Sequence, residues 1–170
     1  MTMNARTRFL ILVAVVVTLD QGTKGFVDSR LNLGESVPVV SGLLHFTLVR
    51  NSGMAFGLLA AAVIPYKPVL VTLLSVTALA AVAIYALASP ASERLSQLGL
   101  ALILGGAAGN ILDRLRLGYV IDFIDVFYRG SHWPAFNVAD TAICCGVGLL
   151  LLDTLLRRET RHEAPASPSP

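Results

Sequence analysis

Charge is what this chain has least of. Lys, Arg, Asp and Glu make up 14% of its 170 residues, whereas ordinary soluble domains are about one quarter charged. With 55% of the residues hydrophobic, a conventional water-facing surface is excluded. The formal net charge of +2 is too small to argue for nucleic acid, and no basic stripe interleaved with aromatics occurs. Histidine is scarce and scattered (His45, His132, His162), without metal-ligand spacing. The two cysteines, Cys144 and Cys145, are adjacent in an apolar run with no second pair elsewhere. They are expected as small buried hydrophobes, not as zinc ligands or a disulfide framework. There is no G-x-S-x-G, and Ser52 and Ser131 have no evident His/Asp partners.

Long apolar runs take the place of all this. Four can cross a bilayer, at about 9–27, 69–88, 98–117 and 137–156. The second is uncharged over twenty residues, about 30 Å as a helix. Arg6 and Arg8 before the first run imitate a signal peptide, but DQGTK stands where small cleavage-site residues would be. An uncleaved span is the better reading. The expected fold is a mainly α membrane protein, with four transmembrane helices and a small extracytoplasmic β/loop subdomain. Residues 1–158 form a single integral-membrane domain, and the Pro/Ser/Ala-rich 159–170 a disordered tail. Within the 28–67 loop, Leu43–Val49 reads as a strand and Ala55–Ile64 as a short interfacial helix. The 118–135 segment reads as a loop holding Asp122, Asp125 and an interfacial Trp133.

The rare polar residues are not scattered. Alternation of four spans brings Asp20-Gln21, Asn51, Asn110, Asp113-Arg114, Asp122, Asn137 and Asp140 to one side of the bilayer, whichever way the chain is inserted. Ionisable groups in a membrane segment are costly, and are usually paired and kept for function. The lysines and arginines flanking the spans modestly favour cytoplasmic termini.

Two carboxylates at one site can share one proton and divide acid and base work. Asp122 lies just beyond the third span and Asp140 opens the fourth, which makes them the best-placed pair. Two unrelated aspartates, a loop solubiliser and a helix N-terminal charge, explain them equally well on spacing alone. Asn137 and Asp140, three apart, share a helix face, so the amide is expected to hydrogen-bond and orient the aspartate. Asn110 and Arg114 align in the same way. Gly105-x-x-x-Gly109 is a helix-packing motif. Asp20 and Lys24 stand at ion-pair spacing, with an interfacial helix end as the competing reading.

In order, the motifs are Asp20-Gln-x-Thr-Lys24, Asn51-x-Gly53-x-Ala-Phe56, Gly106-x-x-Gly-Asn110-x-x-Asp113-Arg114, Val120-x-Asp122-Phe123 and Phe136-Asn137-x-Ala-Asp140. Over residues 8–156 this series closely resembles the bacterial lipoprotein signal peptidases (signal peptidase II). The resemblance implies an aspartic endopeptidase of the cytoplasmic membrane, active at its extracytoplasmic face, with cytoplasmic termini and no metal or cofactor. Its substrates would be diacylglyceryl-prolipoproteins, cut before the lipidated cysteine. It implies Asp122 and Asp140 as the catalytic pair and Asn51, Asn110, Arg114 and Asn137 as substrate-binding residues, with Asn51 and Arg114 gripping the substrate backbone. Asp20, Lys24, Gly53 and Asp113 would be supports. Partners would be the substrate and membrane lipid, with no nucleic acid, and one chain supplies every motif, as a monomer would. The rival class is a proton-coupled transporter or channel, which predicts polar residues at several depths.

Overall fold

The computed structural model describes residues 3–53 and 64–162. Four long helices, α1 (Ala5–Asp28), α2 (Lys67–Ala88), α3 (Arg94–Leu117) and α4 (Val138–His162), are long and apolar enough to cross a membrane. Four antiparallel strands, β1 (Ser36–Val40), β2 (Leu44–Asn51), β3 (Val120–Tyr128) and β4 (Ser131–His132), form a sheet in the order β1-β2-β3-β4. The expected Leu43–Val49 strand is β2. The expected Ala55–Ile64 helix, and Phe56 with it, lies outside the described residues save for Ile64.

Burial is inverted relative to a soluble protein. Leu10, Leu73, Ile84, Leu87 and Leu151 are all more than half exposed on the helix surfaces, while Asp20, Lys24, Asp113, Asp122 and Asn137 are buried. Apolar side chains facing outward are what a hydrocarbon solvent permits. α3 is the central helix, packed against α1, α2 and α4. Its glycines allow this. A Cβ on Gly106 would collide with the Ala139 carbonyl of α4, and one on Gly105 would lie 2.7 Å from Val16 of α1. Gly99 and Gly146 bring α3 and α4 together further along. The small-residue motif is therefore a packing surface, as expected.

The sheet sits at one end of this bundle. Gly118 adopts φ 80° and donates its N–H to the Arg114 carbonyl, ending α3 and turning the chain straight into β3. The segment expected as a loop is thus a nine-residue strand at the centre of the sheet. Val27 of α1, Leu48, Ile121 and Phe123 form a small apolar core between helix and sheet. Two further expectations are corrected. Cys144 and Cys145 are exposed on the surface of α4. The tail expected to start at 159 is helical as far as His162.

Candidate active site

Asp122 and Asp140 meet at the sheet end of the bundle by different routes. Asp122 stands in β3 opposite Val49 of β2, close enough to the end of α3 that Asp113 Oδ2 accepts the Ile121 N–H at 3.2 Å. Asp140 lies in the first turn of α4. Fixed N–H donors face every oxygen of the pair. Asp122 Oδ1 accepts from Asn137 Nδ2 (2.7 Å) and its Oδ2 from Asn51 Nδ2 (2.9 Å). Asp140 Oδ1 accepts from Asn110 Nδ2 (2.8 Å) and its Oδ2 from the Asn137 backbone N–H (3.3 Å).

These donors favour the charged form, but two stronger influences oppose them at Asp122. The residue is only 2% exposed. Burial first, and then the neighbouring Asp140 charge, push its carboxyl up to about 7, against the pull of the Asn51 and Asn137 amides and the Lys24 charge. A carboxyl held near neutrality can both lose and accept a proton at physiological pH.

Asn137 does more than its spacing suggested. It lies one residue before α4, so it caps the helix rather than sharing its face with Asp140. Its side-chain oxygen accepts the Asp140 N–H at 2.9 Å while its amide NH2 reaches Asp122. The expected amide contact to the Asp140 carboxylate is thus corrected to one with Asp122. Asn51 likewise holds Asp122, and its own oxygen accepts the Gly53 N–H at 2.8 Å. Arg114 donates to the Gly53 carbonyl (3.1 Å) and to the Asn110 carbonyl one turn back (3.3 Å).

Beneath the pair lies a buried ionic cluster. Lys24 Nζ contacts Asp20 Oδ2 at 2.8 Å and Asp113 Oδ2 at 2.9 Å, and donates to Asn110 Oδ1 at 2.9 Å. The Asp20–Lys24 pair is therefore interior, not an interfacial helix end. Asp20 Oδ1 also accepts the Ala139 N–H of α4 at 2.9 Å, beside Gly109, where any side chain would strike the aspartate. Gln21, given no role by spacing, donates to Asp113 at 2.9 Å. All ten residues singled out from the sequence belong to this one assembly.

The approach to it is a groove between the spans with Trp133 at its edge, and most of the side chains that wall it were not singled out in the sequence. A cavity of about 560 Å³ runs from Asn51, Asp122 and Asp140 along the bundle, walled by Leu74, Ala78, Leu79 and Val82 of α2 and Ile143, Cys144 and Cys145 of α4. Ile103 and Ala107 of α3 line it as well. These apolar residues look like any others on a span, so nothing in the sequence marks them. Among the described residues no His/Cys/Asp/Glu cluster suits a metal ion.

The family model for signal peptidase (SPase) II matches residues 12–156, which takes in every site residue above. The chain belongs to the signal peptidase II family. It is 47% identical over 154 residues to the lipoprotein signal peptidase of Geobacter metallireducens, covering 91% of this chain and 93% of that protein. It is 42% identical over 153 residues to that of Syntrophus aciditrophicus, covering 90% and 95%. A solved structure described as a bacterial membrane enzyme, determined by the in meso method at 2.3 Å resolution, superposes with a TM-score of 0.79. It shares 28% identity and covers 96% of this chain and 95% of its own. As a signal peptidase II the chain is an aspartic endopeptidase with multiple membrane-spanning helices.

Proposed function

We propose that this signal peptidase II removes the signal peptide from diacylglyceryl-modified prolipoproteins, cleaving before the lipidated cysteine with water activated by Asp122 and Asp140. One observation carries the reading: two carboxyls ringed by amide donors stand at the polar end of an apolar cavity between membrane helices. The ionised member takes a proton from water as its oxygen bonds to the scissile carbonyl carbon. The protonated member gives its proton to the leaving amine as the C–N bond breaks. Arg114, whose planar guanidinium lines the cavity, offers N–H donors for a substrate carbonyl. Asn51, Asn110 and Asn137 hold the carboxyls in place.

The same reading puts both termini in the cytoplasm and the active site at the extracytoplasmic face of the bacterial cytoplasmic membrane. Arg6, Arg8, Arg94, Arg157 and Arg158 at the span ends opposite the carboxyls support that orientation. The enzyme works as a monomer, with every group supplied by one chain. The transporter alternative fares worse. Between its two ends the bundle offers Phe9–Leu19, Leu73–Val82 and Gly99–Gly109 without a charged residue, which leaves no polar path across.

The test is cleavage of a lipidated prolipoprotein by purified protein in detergent. Asp122→Asn and Asp140→Asn should each lower turnover by about 10²- to 10⁴-fold, and the double variant should lose little more, since the two act as a unit. Near-parental cleavage by either folded single variant removes that residue from the mechanism.

A further inference from the structure

The buried ammonium of Lys24 is the least expected charge in the molecule, since a lysine is almost never fully buried unless paired. It is 1% exposed, and it lies on α1, outside the pair it underlies. Its hydrogen-bond chemistry is one-directional, for an ammonium donates and never accepts. Whatever atom of Asn110 faces Lys24 must therefore be the carbonyl oxygen. The Asn110 amide can turn two ways, and only one puts its NH2 toward Asp140. In the structure Oδ1 accepts from Lys24 at 2.9 Å while Nδ2 donates to Asp140 Oδ1 at 2.8 Å. Asn137 Nδ2 also donates to that Asn110 oxygen, at 3.2 Å, and this amide holds Asp122. The cation thus fixes the direction of the Asn110 amide, and the Asn110 oxygen it holds is also an acceptor for Asn137, one of the two amides on Asp122.

We infer that Lys24 is a positioning residue for peptide cleavage, setting the orientation of the Asn110 amide, and through it the donor that Asp140 receives. This rests on the assignment of Asp122 and Asp140 as the catalytic pair. Asp20 and Asp113 hold the ammonium from α1 and α3, so the lysine cannot swing away from Asn110. The charged groups acting on the pair are Lys24 and Asp20 below it and Arg114 beside it, together with the Asp140 charge on Asp122. Loss of the Lys24 charge removes a cation that favours ionisation of Asp122.

Two variants test this by different means. Lys24→Met keeps the length and apolar stem but cannot orient the amide. Its kcat should fall roughly ten- to a hundredfold, as for a lost hydrogen bond to a charged group. KM for the lipidated substrate should stay within about threefold, and both limbs of the pH profile should move to higher pH. A purely structural lysine would lower the yield or melting temperature and leave the pH profile of the folded enzyme in place. Asn110→Asp keeps an acceptor for Lys24 but faces Asp140 with an oxygen where a donor is needed. It should fold and lose cleavage at neutral pH, recovering relative to the parent as the pH falls and the new carboxyl regains a proton. If Lys24→Met does not accumulate in the membrane, Asn110→Asp decides. Parental cleavage by Asn110→Asp across the pH range, or an unchanged kcat and pH profile in folded Lys24→Met, overturns the inference. Should Asp140→Asn itself cleave normally, the catalytic assignment has failed instead.

Discussion

At the scale of single residues, the defining property of this site is a carboxyl that the fold makes reluctant to ionise. Asp122 would ionise at about 4 in the unfolded chain, and burial beside Asp140 pushes it up to about 7 in the folded protein. Between these values the folded state binds more protons than the unfolded one. Stability therefore falls as the pH rises through this window, and the full penalty is present above about 7. Thermal unfolding in detergent should show a melting temperature that drops from pH 5 to pH 8, and drops less in Asp122→Asn. The alkaline limb of cleavage should fall in the same region, because a pair that has lost its second proton can no longer donate to the leaving amine. A flat melting temperature across this range would mean that Asp122 is charged throughout.

At the scale of elements, α3 carries the site, and glycine is how it does so. Gly106 leaves no room for a methyl beside the Ala139 carbonyl, and backbone atoms cannot step aside as a flexible side chain can. Gly106→Ala should therefore push back the first turn of α4, with Asp140 in it. The expected cost is about 1–3 kcal/mol of overpacking, together with a loss of cleavage. Gly22 of α1 has open space around its Cβ position, so Gly22→Ala should be neutral or stabilising by up to about 1 kcal/mol. Melting temperatures of the two variants in one detergent make the comparison.

The spans were legible because their signal is long. The helices extend past the expected 9–27, 69–88 and 98–117 by at most four residues at either end. β3 was hidden for a physical reason. Asp122 and Asp125 interrupt Val120–Tyr128 every third residue, which breaks the alternation of a half-buried strand. Both aspartates are buried in the fold, with Asp125 bonded to Thr47 and His132. The β-branched and aromatic residues around them, and the turn at Arg129-Gly130, were the available signal. The Asn137 amide was misdirected by a one-residue boundary, since a cap and a first-turn residue point differently. Cys144 and Cys145 were misread because an apolar neighbourhood marks burial in water-soluble folds, whereas here it marks a surface toward lipid or the cavity.

At the scale of the whole molecule, the cavity joins an apolar wall to a polar end, and a substrate anchored by diacylglycerol has the same two-part character. Each methylene that leaves water is worth about 0.8 kcal/mol. Some of that binding should be spent on holding the scissile bond at Asp122 and Asp140, so removing the lipid should lower turnover as well as affinity. One prolipoprotein compared with and without its diacylglyceryl group, in the same detergent, measures this. Equal cleavage of both forms would mean that peptide alone is recognised.

α2 buries only Val71 and rests along α3, and the cavity lies between it and α4, so on the proposed function substrates would enter from the flank of the bundle. An enzyme entered from its flank meets its substrates in two dimensions. Its working concentration is then molecules per area of bilayer, and protein dissolved in the surrounding water does not count toward it. Adding empty lipid or micelles thins the reactants as surely as adding buffer thins a soluble mixture. On the proposed function, the spent signal peptide, itself apolar, would leave by the same flank into the same sheet of lipid. Crowding of that sheet by its own products then becomes a brake that no change in aqueous volume can release.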